Sequence, residues 1–345
     1  MVESRDIDII LNNPIDWEQF RNKTVLVTGA TGRLGMYIVE ALNKADIDWN
    51  LNLQIIALAR SKEKLEEVFG QELKLPNLSV MIQNIETPID YDGVIDYVFH
   101  TAGAASPKDF TETPVDTLWG HVLGTRNVLE MARTHQAQKV LYVSTVETYG
   151  EWKSEDGIKE NDCGPMHFDN ARACYPEAKR LCETMLASYK AQYGVDYVTV
   201  RLCHTFGPGI SLYDGRAFAE FIRNVLDGEN IILQSDGSAA RTYTYVADAV
   251  GAMFLAFTKG KETSYNIANP ENLITIRDLA QLIADLDPKG KVQVTYTDST
   301  KQKLKYLPFK LGIMNVDRIM SLGWRPQVGI EDAFKYTLES FMQRV

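Results

Sequence analysis

Thr24-Val25-Leu26-Val27-Thr28-Gly29-Ala30-Thr31-Gly32-Arg33-Leu34-Gly35 is the stretch that decides the fold. Thr24 to Thr28 is a short β-branched run and predicts a buried strand. Gly29, Gly32 and Gly35 follow at Gly-x-x-Gly-x-x-Gly spacing, and Leu34, Ile38, Val39 and Leu42 then recur on one helical face. A strand that runs through such a turn into an amphipathic helix can hold a pyrophosphate. The glycines allow a tight turn and close backbone approach, and the helix start offers free N–H groups and the positive end of its dipole.

Outward from this stretch the alternation repeats. Leu53 to Ala59, Leu78 to Ile82, Tyr97 to His100, Lys139 to Ser144 and Tyr197 to Leu202 read as strands. Lys62 to Phe69, Pro114 to Thr134 and Pro176 to Tyr193 read as helices between them. The pattern predicts an α/β protein: a Rossmann-type doubly wound parallel sheet with a smaller C-terminal α/β substrate lobe. The expected organisation is an N-terminal arm over residues 1–22, helical around Asp16 to Arg21. A dinucleotide-binding domain follows over 23–207, and 208–345 forms mainly the substrate lobe, with segments free to interleave. Lys301 to Lys310 is the most polar stretch, readable as a solvated loop or as a substrate-side segment.

Composition narrows the function. Asp plus Glu number 46 against 36 Lys plus Arg, a net charge of -10, which argues against non-specific nucleic-acid binding. No apolar run reaches membrane-spanning length and no signal peptide is evident, so a cytoplasmic protein is expected. Cys163, Cys174, Cys182 and Cys203 have neither zinc-site spacing nor the look of a disulfide framework, and no metal is expected.

Two further patterns carry chemistry. The strand Leu53 to Ala59 ends in Arg60, with no acid where a free ribose 2′-hydroxyl would be read; Arg60 tilts the choice between NAD and NADP toward NADP. Tyr175 and Lys179 are four apart at a helix start and so share a face. A free Tyr titrates near 10, and a nearby Lys cation together with an oxidised nicotinamide would favour its phenolate. Upstream, a hydroxyl of Ser144 or Thr145 could orient a reacting oxygen against the Tyr.

These motifs resemble the extended short-chain dehydrogenase/reductases of the NAD-dependent epimerase/dehydratase family over nearly all of residues 23–343. The resemblance rests on Val27 to Gly32, His100 to Ser106, Ser144 to Gly150, the Tyr175/Lys179 pair, Arg201 to Gly209, Arg241 to Asp248 and Leu322 to Pro326. It implies Tyr175 as base, Lys179 as ribose contact, Thr145 as contact to the substrate hydroxyl and Arg241 at the substrate diphosphate. It implies cofactor contacts at Gly29, Thr31, Gly32, Arg33, Leu34, Gly35, Arg60, Asn84, Ile85, Thr101, Ala102 and Gly103. Ser106, His204 and Arg216 join Thr145 and Arg241 on the substrate side, and Glu147 joins the catalytic group.

The nearest subgroup resembles the UDP-glucuronate decarboxylases through Arg172-Ala173-Cys174-Tyr175, Lys179-Arg180 and Asp214-Gly215-Arg216. Val146 departs from the Ser of those enzymes and from the Asp of the 4,6-dehydratases, and it can neither donate nor accept a proton. His204 stands in place of a common Asn, as does His121. The resemblance therefore implies an enzyme that modifies a nucleotide-activated sugar through a transient 4-keto intermediate, as an epimerase or decarboxylase. A sugar-nucleotide dehydratase or an NADP-dependent carbonyl reductase are the alternatives. It also implies a homodimer through the helices Pro114 to Thr134 and Pro176 to Tyr193.

Overall fold

The computed structural model describes residues 2–152, 157–297 and 313–342. The stretch Lys301 to Lys310 lies outside them. Strands β1 (Thr24–Thr28), β2 (Gln54–Ala59), β3 (Leu78–Ile82), β4 (Tyr97–His100), β5 (Lys139–Thr145) and β6 (Tyr197–Leu202) form most of one sheet. After β7 (His204–Phe206), β8 (Ile231–Leu233) and β9 (Ala240–Tyr245), the strand β10 (Ser264–Ile267) returns to that sheet beside β6. The order is β10-β6-β5-β4-β1-β2-β3, and every pairing is parallel. The chain thus reverses direction across the sheet between β1 and β4, and in such sheets ligands bind beyond the carboxyl ends of the strands at that point.

Helices follow as α1 (Ser4–Leu11), α2 (Arg33–Trp49), α3 (Lys62–Phe69), α4 (Pro107–Glu112), α5 (Pro114–Thr134), α6 (Cys174–Tyr193), α7 (Ala217–Asp227) and α8 (Val246–Lys259). Apart from the edge strand β3, the strands of this sheet are buried on both faces. Val25, Val27 and Phe99 join the core beneath α2 and α8, while Leu26 and Val98 pack with Val128, Leu129, Cys182 and Leu186 of α5 and α6. This two-sided burial is why the strands read as continuous apolar runs.

The smaller lobe is built from β11 (Leu273–Thr275), paired with β9, and β12 (Val294–Tyr296), paired with β8, together with α7, α9 (Ile276–Asp285) and a C-terminal helix, α11 (Ile330–Met342); α10 (Asp317–Met320) packs against β10 of the main sheet. The arm contains a one-turn 3-10 helix at Trp17–Phe20, within the stretch read as helical, and also α1. Ile7 and Ile10 of α1 are buried, and the buried carboxylate of Asp6 accepts hydrogen bonds from Tyr37 (2.6 Å) on α2 and Tyr245 (2.9 Å) on β9. The arm therefore fastens the large sheet to the smaller lobe. Among the described residues, no helix is long and apolar enough to cross a membrane.

Candidate active site

The turn after β1 and the turn after β4 meet face to face. Gly29 has a φ of 67°, and a Cβ there would lie 2.8 Å from the Ala102 Cα. A Cβ on Gly35 would lie 2.2 Å from the Gly29 carbonyl oxygen, so only glycine lets α2 start this close to the turn. Thr101 Oγ1 donates to the Thr28 carbonyl at 2.7 Å, and Ala102 N–H donates to Thr28 Oγ1 at 3.3 Å. The resulting cradle, with its short Gly-x-x-Gly turn and a helix N-terminus above it, fits a dinucleotide pyrophosphate. Thr31 and Leu34 flank the turn and are partly exposed.

Arg33 takes an unexpected course. Its Nη2 donates to the Thr205 carbonyl at 2.7 Å, across the cleft on β7, and its Nε is buried without a partner. Burial, helped by Arg216 nearby, pushes its pKa down to about 10. At the other end of the cofactor side, Arg60 is exposed at the end of β2. Asn84 is exposed and accepts from Glu86 N–H at 3.1 Å, while the carbonyl of buried Ile85 accepts from Asn127 at 2.9 Å.

The second cluster lies at the end of β5. The Thr145 hydroxyl lies beside the phenol of Tyr175 at the start of α6 and favours its ionised form. The Tyr175 ring is stacked on Phe110 of α4 at 4.1 Å between centroids and 15° between planes. Burial, and secondarily the charge of Glu147, holds the Tyr175 phenol well above its ordinary range. Lys179 donates to the Val143 carbonyl at 2.7 Å, and burial lowers its own pKa to about 8. Within the chain alone the phenolate is therefore not formed: desolvation outweighs any help from Lys179, and the further stabilisation must come from what binds.

Of the two hydroxyls at the end of β5, that of Thr145 is the one beside Tyr175. Successive strand residues face opposite sides. Ser144 donates to Glu183 at 2.6 Å, about two turns further along α6 from Tyr175. Glu183 is gripped by Arg201, which also donates to the Tyr149 hydroxyl at 2.8 Å. This buried network braces the strand from behind.

Glu147 is neither solvated nor a helix cap. It is largely buried and pairs with Arg172 at 3.0 Å, and burial raises its carboxyl pKa against the pull of that guanidinium. Arg172 in turn lies over the Phe110 ring at 4.6 Å. Sequence reasoning alone does not single out Arg172 or Phe110 as a site residue. The available signal is position: Arg172 precedes Tyr175 by three residues, about one helical turn.

Across the cleft, Arg216 at the N-cap of α7 reaches the Ala105 carbonyl and pairs with Asp214 at 3.2 Å. His204, Arg241, Thr242, Cys203 and Val146 line a cleft. Burial, with Arg241 and Arg216 adding to it, pushes the His204 pKa down to about 3, so its ring is neutral. His121 is also held neutral by burial; its Nε2 donates to the Ala104 carbonyl at 2.8 Å, and the ring packs against Gly103, where any Cβ would strike it at 2.2 Å. Ser106 caps α4, accepting from Asp109 N–H at 3.2 Å. Among the described residues, no group of His, Cys, Asp and Glu could hold a metal ion.

A parallel sheet with a glycine cradle at its switch point, and a Tyr-Thr-Lys cluster facing it, defines a nicotinamide-dinucleotide enzyme of the Rossmann class. Residues 25–268 match the NAD dependent epimerase/dehydratase family, and the chain belongs to that family. UDP-glucuronic acid decarboxylase 6 of Arabidopsis thaliana is 28% identical over 327 residues, covering 94% of this chain and 90% of that one. The UDP-glucose 4-epimerase of Thermotoga maritima, solved with UDP-glucose, superposes with a TM-score of 0.76 at 25% identity, covering 93% of this chain and 99% of the other. A dTDP-glucose 4,6-dehydratase of Streptomyces venezuelae, solved with NAD bound, shares the fold with a TM-score of 0.76 at 22% identity, covering 93% and 97%.

Proposed function

We propose that this chain modifies a nucleotide-activated sugar by transient oxidation at the sugar C4, with Tyr175 as the base. The observation that carries this reading is Tyr175, buried beside Lys179 with the Thr145 hydroxyl next to its phenol, in a sheet that also builds the glycine cradle. The nicotinamide cofactor, when bound, accepts and returns a hydride. Thr145 orients the C4 hydroxyl, and Tyr175 takes its proton. Lys179 holds positive charge below the ring and contacts the cofactor ribose. Arg216 and Arg241 bind the substrate diphosphate from the lobe side, and the neutral His204 supplies a hydrogen bond there.

The names of the relatives support a sugar nucleotide and leave two fates for the 4-keto sugar: return of hydride to the other face, or loss of a C6 carboxylate. Val146 is buried and has no proton to give, which disfavours 4,6-dehydration. Glu147, beside the Thr145–Tyr175 pair, is the group available for a second bond-making step, which favours the decarboxylase type. Exposed Arg60 favours NADP over NAD. Val115, Trp119 and Leu181 leave apolar surface exposed on α5 and α6, and we assign that face to a homodimer.

Incubation with UDP-, dTDP- and GDP-linked hexoses and uronates, with NAD or NADP, tests the reading by mass detection of products. A mass-neutral epimer is separated chromatographically, and a decarboxylated product loses carbon dioxide. Absence of product and of reduced nicotinamide with every sugar would overturn it.

A further inference from the structure

The pair Glu147–Arg172 is only half satisfied. Glu147 Oε1 accepts from Arg172 Nη2 at 3.0 Å, while Glu147 Oε2 and Arg172 Nη1 are buried with no partner. Both side chains are largely enclosed, at 14% and 15% exposure, so the pair is not a surface ion pair of negligible weight. Breaking such a pair by removing one partner leaves an uncompensated buried charge.

The scaffold around Arg172 is specific. Asn170 Oδ1 accepts from Arg172 N–H at 2.9 Å and so caps the short 3-10 turn Ala171–Ala173 that runs directly into α6. That turn fixes Arg172 relative to Tyr175. The guanidinium then lies over one face of Phe110, and the Phe110 ring stacks on Tyr175. Arg172 thus touches Glu147 through Nη2 and is tied to Tyr175 through an aromatic platform.

We propose that Arg172 is a positioning residue, which holds the Glu147 carboxylate ionised and aimed beside the Tyr175 phenol and leaves one carboxylate oxygen free for the reacting sugar. This rests on the assignment of Tyr175 and Glu147 given above. The charged and titratable groups around Glu147 are Arg172 on the turn before α6, Arg216 at the start of α7, and Tyr175 and Cys174 at the start of α6. Arg216 already pairs with Asp214, which leaves Arg172 as the cation in direct contact with Glu147.

The test uses the NAD-loaded full chain labelled with carboxyl-¹³C glutamate, the Glu147 resonance being assigned by its loss in Glu147→Gln. In Arg172→Met, and in the closer-sized Arg172→Gln should Met fail to fold, the Glu147 titration midpoint rises by about one to three pH units. Arg172→Lys keeps the charge and restores most of the shift. A second reading follows product formation from UDP-glucose or UDP-glucuronate by mass and chromatography; the acidic limb of that rate moves with the titration midpoint. An unchanged midpoint in folded Arg172→Met or Arg172→Gln overturns the proposal, as does a moved midpoint with an unmoved limb. If neither UDP-sugar yields product, the assignment of these sugars fails, and the carbon titration still decides the role of Arg172.

Discussion

On the cofactor side the cradle comes from two short stretches, residues 28–35 and 100–103, and its shape is a backbone property: glycine contacts and threonine-to-backbone hydrogen bonds. The proposed substrate side would draw on Thr145 on β5, Arg172 just before α6, Tyr175 on α6, His204 on β7, Arg216 at α7 and Arg241 on β9, and its contacts are made by side chains. The difference has a practical consequence. A backbone cradle tolerates no added atom, whereas a side-chain cluster degrades in steps according to which contact is lost.

The largest effect is therefore expected at the cradle. Gly35→Val would drive a Cβ to 2.2 Å from the Gly29 carbonyl, an overlap that only a shift of the turn can relieve. Loss of detectable NAD and NADP binding in a folded protein is expected, measured by calorimetric titration with circular dichroism as the control. Retained affinity would mean that the turn is not the pyrophosphate site. Next, Tyr175→Phe keeps the ring stacked on Phe110 and removes the proton acceptor. Turnover should fall by about 10²–10⁴ with cofactor affinity nearly intact, and an unchanged rate would dissolve the proposed chemistry. A smaller effect belongs to Arg60→Asp, which should weaken NADP by about ten- to hundredfold and spare NAD. Equal affinities of the unaltered protein for the two cofactors would count against an Arg60 contact.

The same contrast governs how much of the molecule is legible in the amino-acid sequence. The cradle is legible because its determinants are contiguous: three glycines at fixed spacing after an apolar run and before an amphipathic one. Tyr175 and Lys179 are legible because four residues on a helix is one face. The partnership of Glu147 with Arg172 is not, since they lie 25 positions apart and nothing in either local pattern names the other. Phe110 is hidden for the same reason: an apolar residue on a short helix ordinarily reads as core, and only the fold lays it under Tyr175. The role of the arm is equally unreadable, because Asp6 looks like a surface acid until Tyr37 and Tyr245 close around it. The seventh strand of the main sheet, β10, is four residues long and lies beyond α8, too short to announce its sheet by periodicity.

Adjacent residues on β5 supply the smallest effect and the sharpest use of the comparison. Thr145 and Ser144 are both buried hydroxyls at the end of one strand, yet they face opposite sides. Thr145→Ala removes the hydroxyl beside the Tyr175 phenol and should lower turnover with little change in stability. Ser144→Ala removes a 2.6 Å hydrogen bond to Glu183. Glu183 keeps its Arg201 partner, so the carboxylate is not left as an unpaired buried charge. The cost should accordingly lie near that of one hydrogen bond to a charged group, about 1.5–3 kcal/mol of unfolding free energy. Turnover should remain within a few-fold of the unaltered protein, because Arg201 and Tyr149 still brace the strand. Denaturant unfolding and steady-state rates on the two variants decide the matter. A large loss of turnover in Ser144→Ala without loss of stability would mean that the hydroxyl turns toward the substrate when ligands bind, and that the two faces of β5 are less separate than their hydrogen bonding makes them.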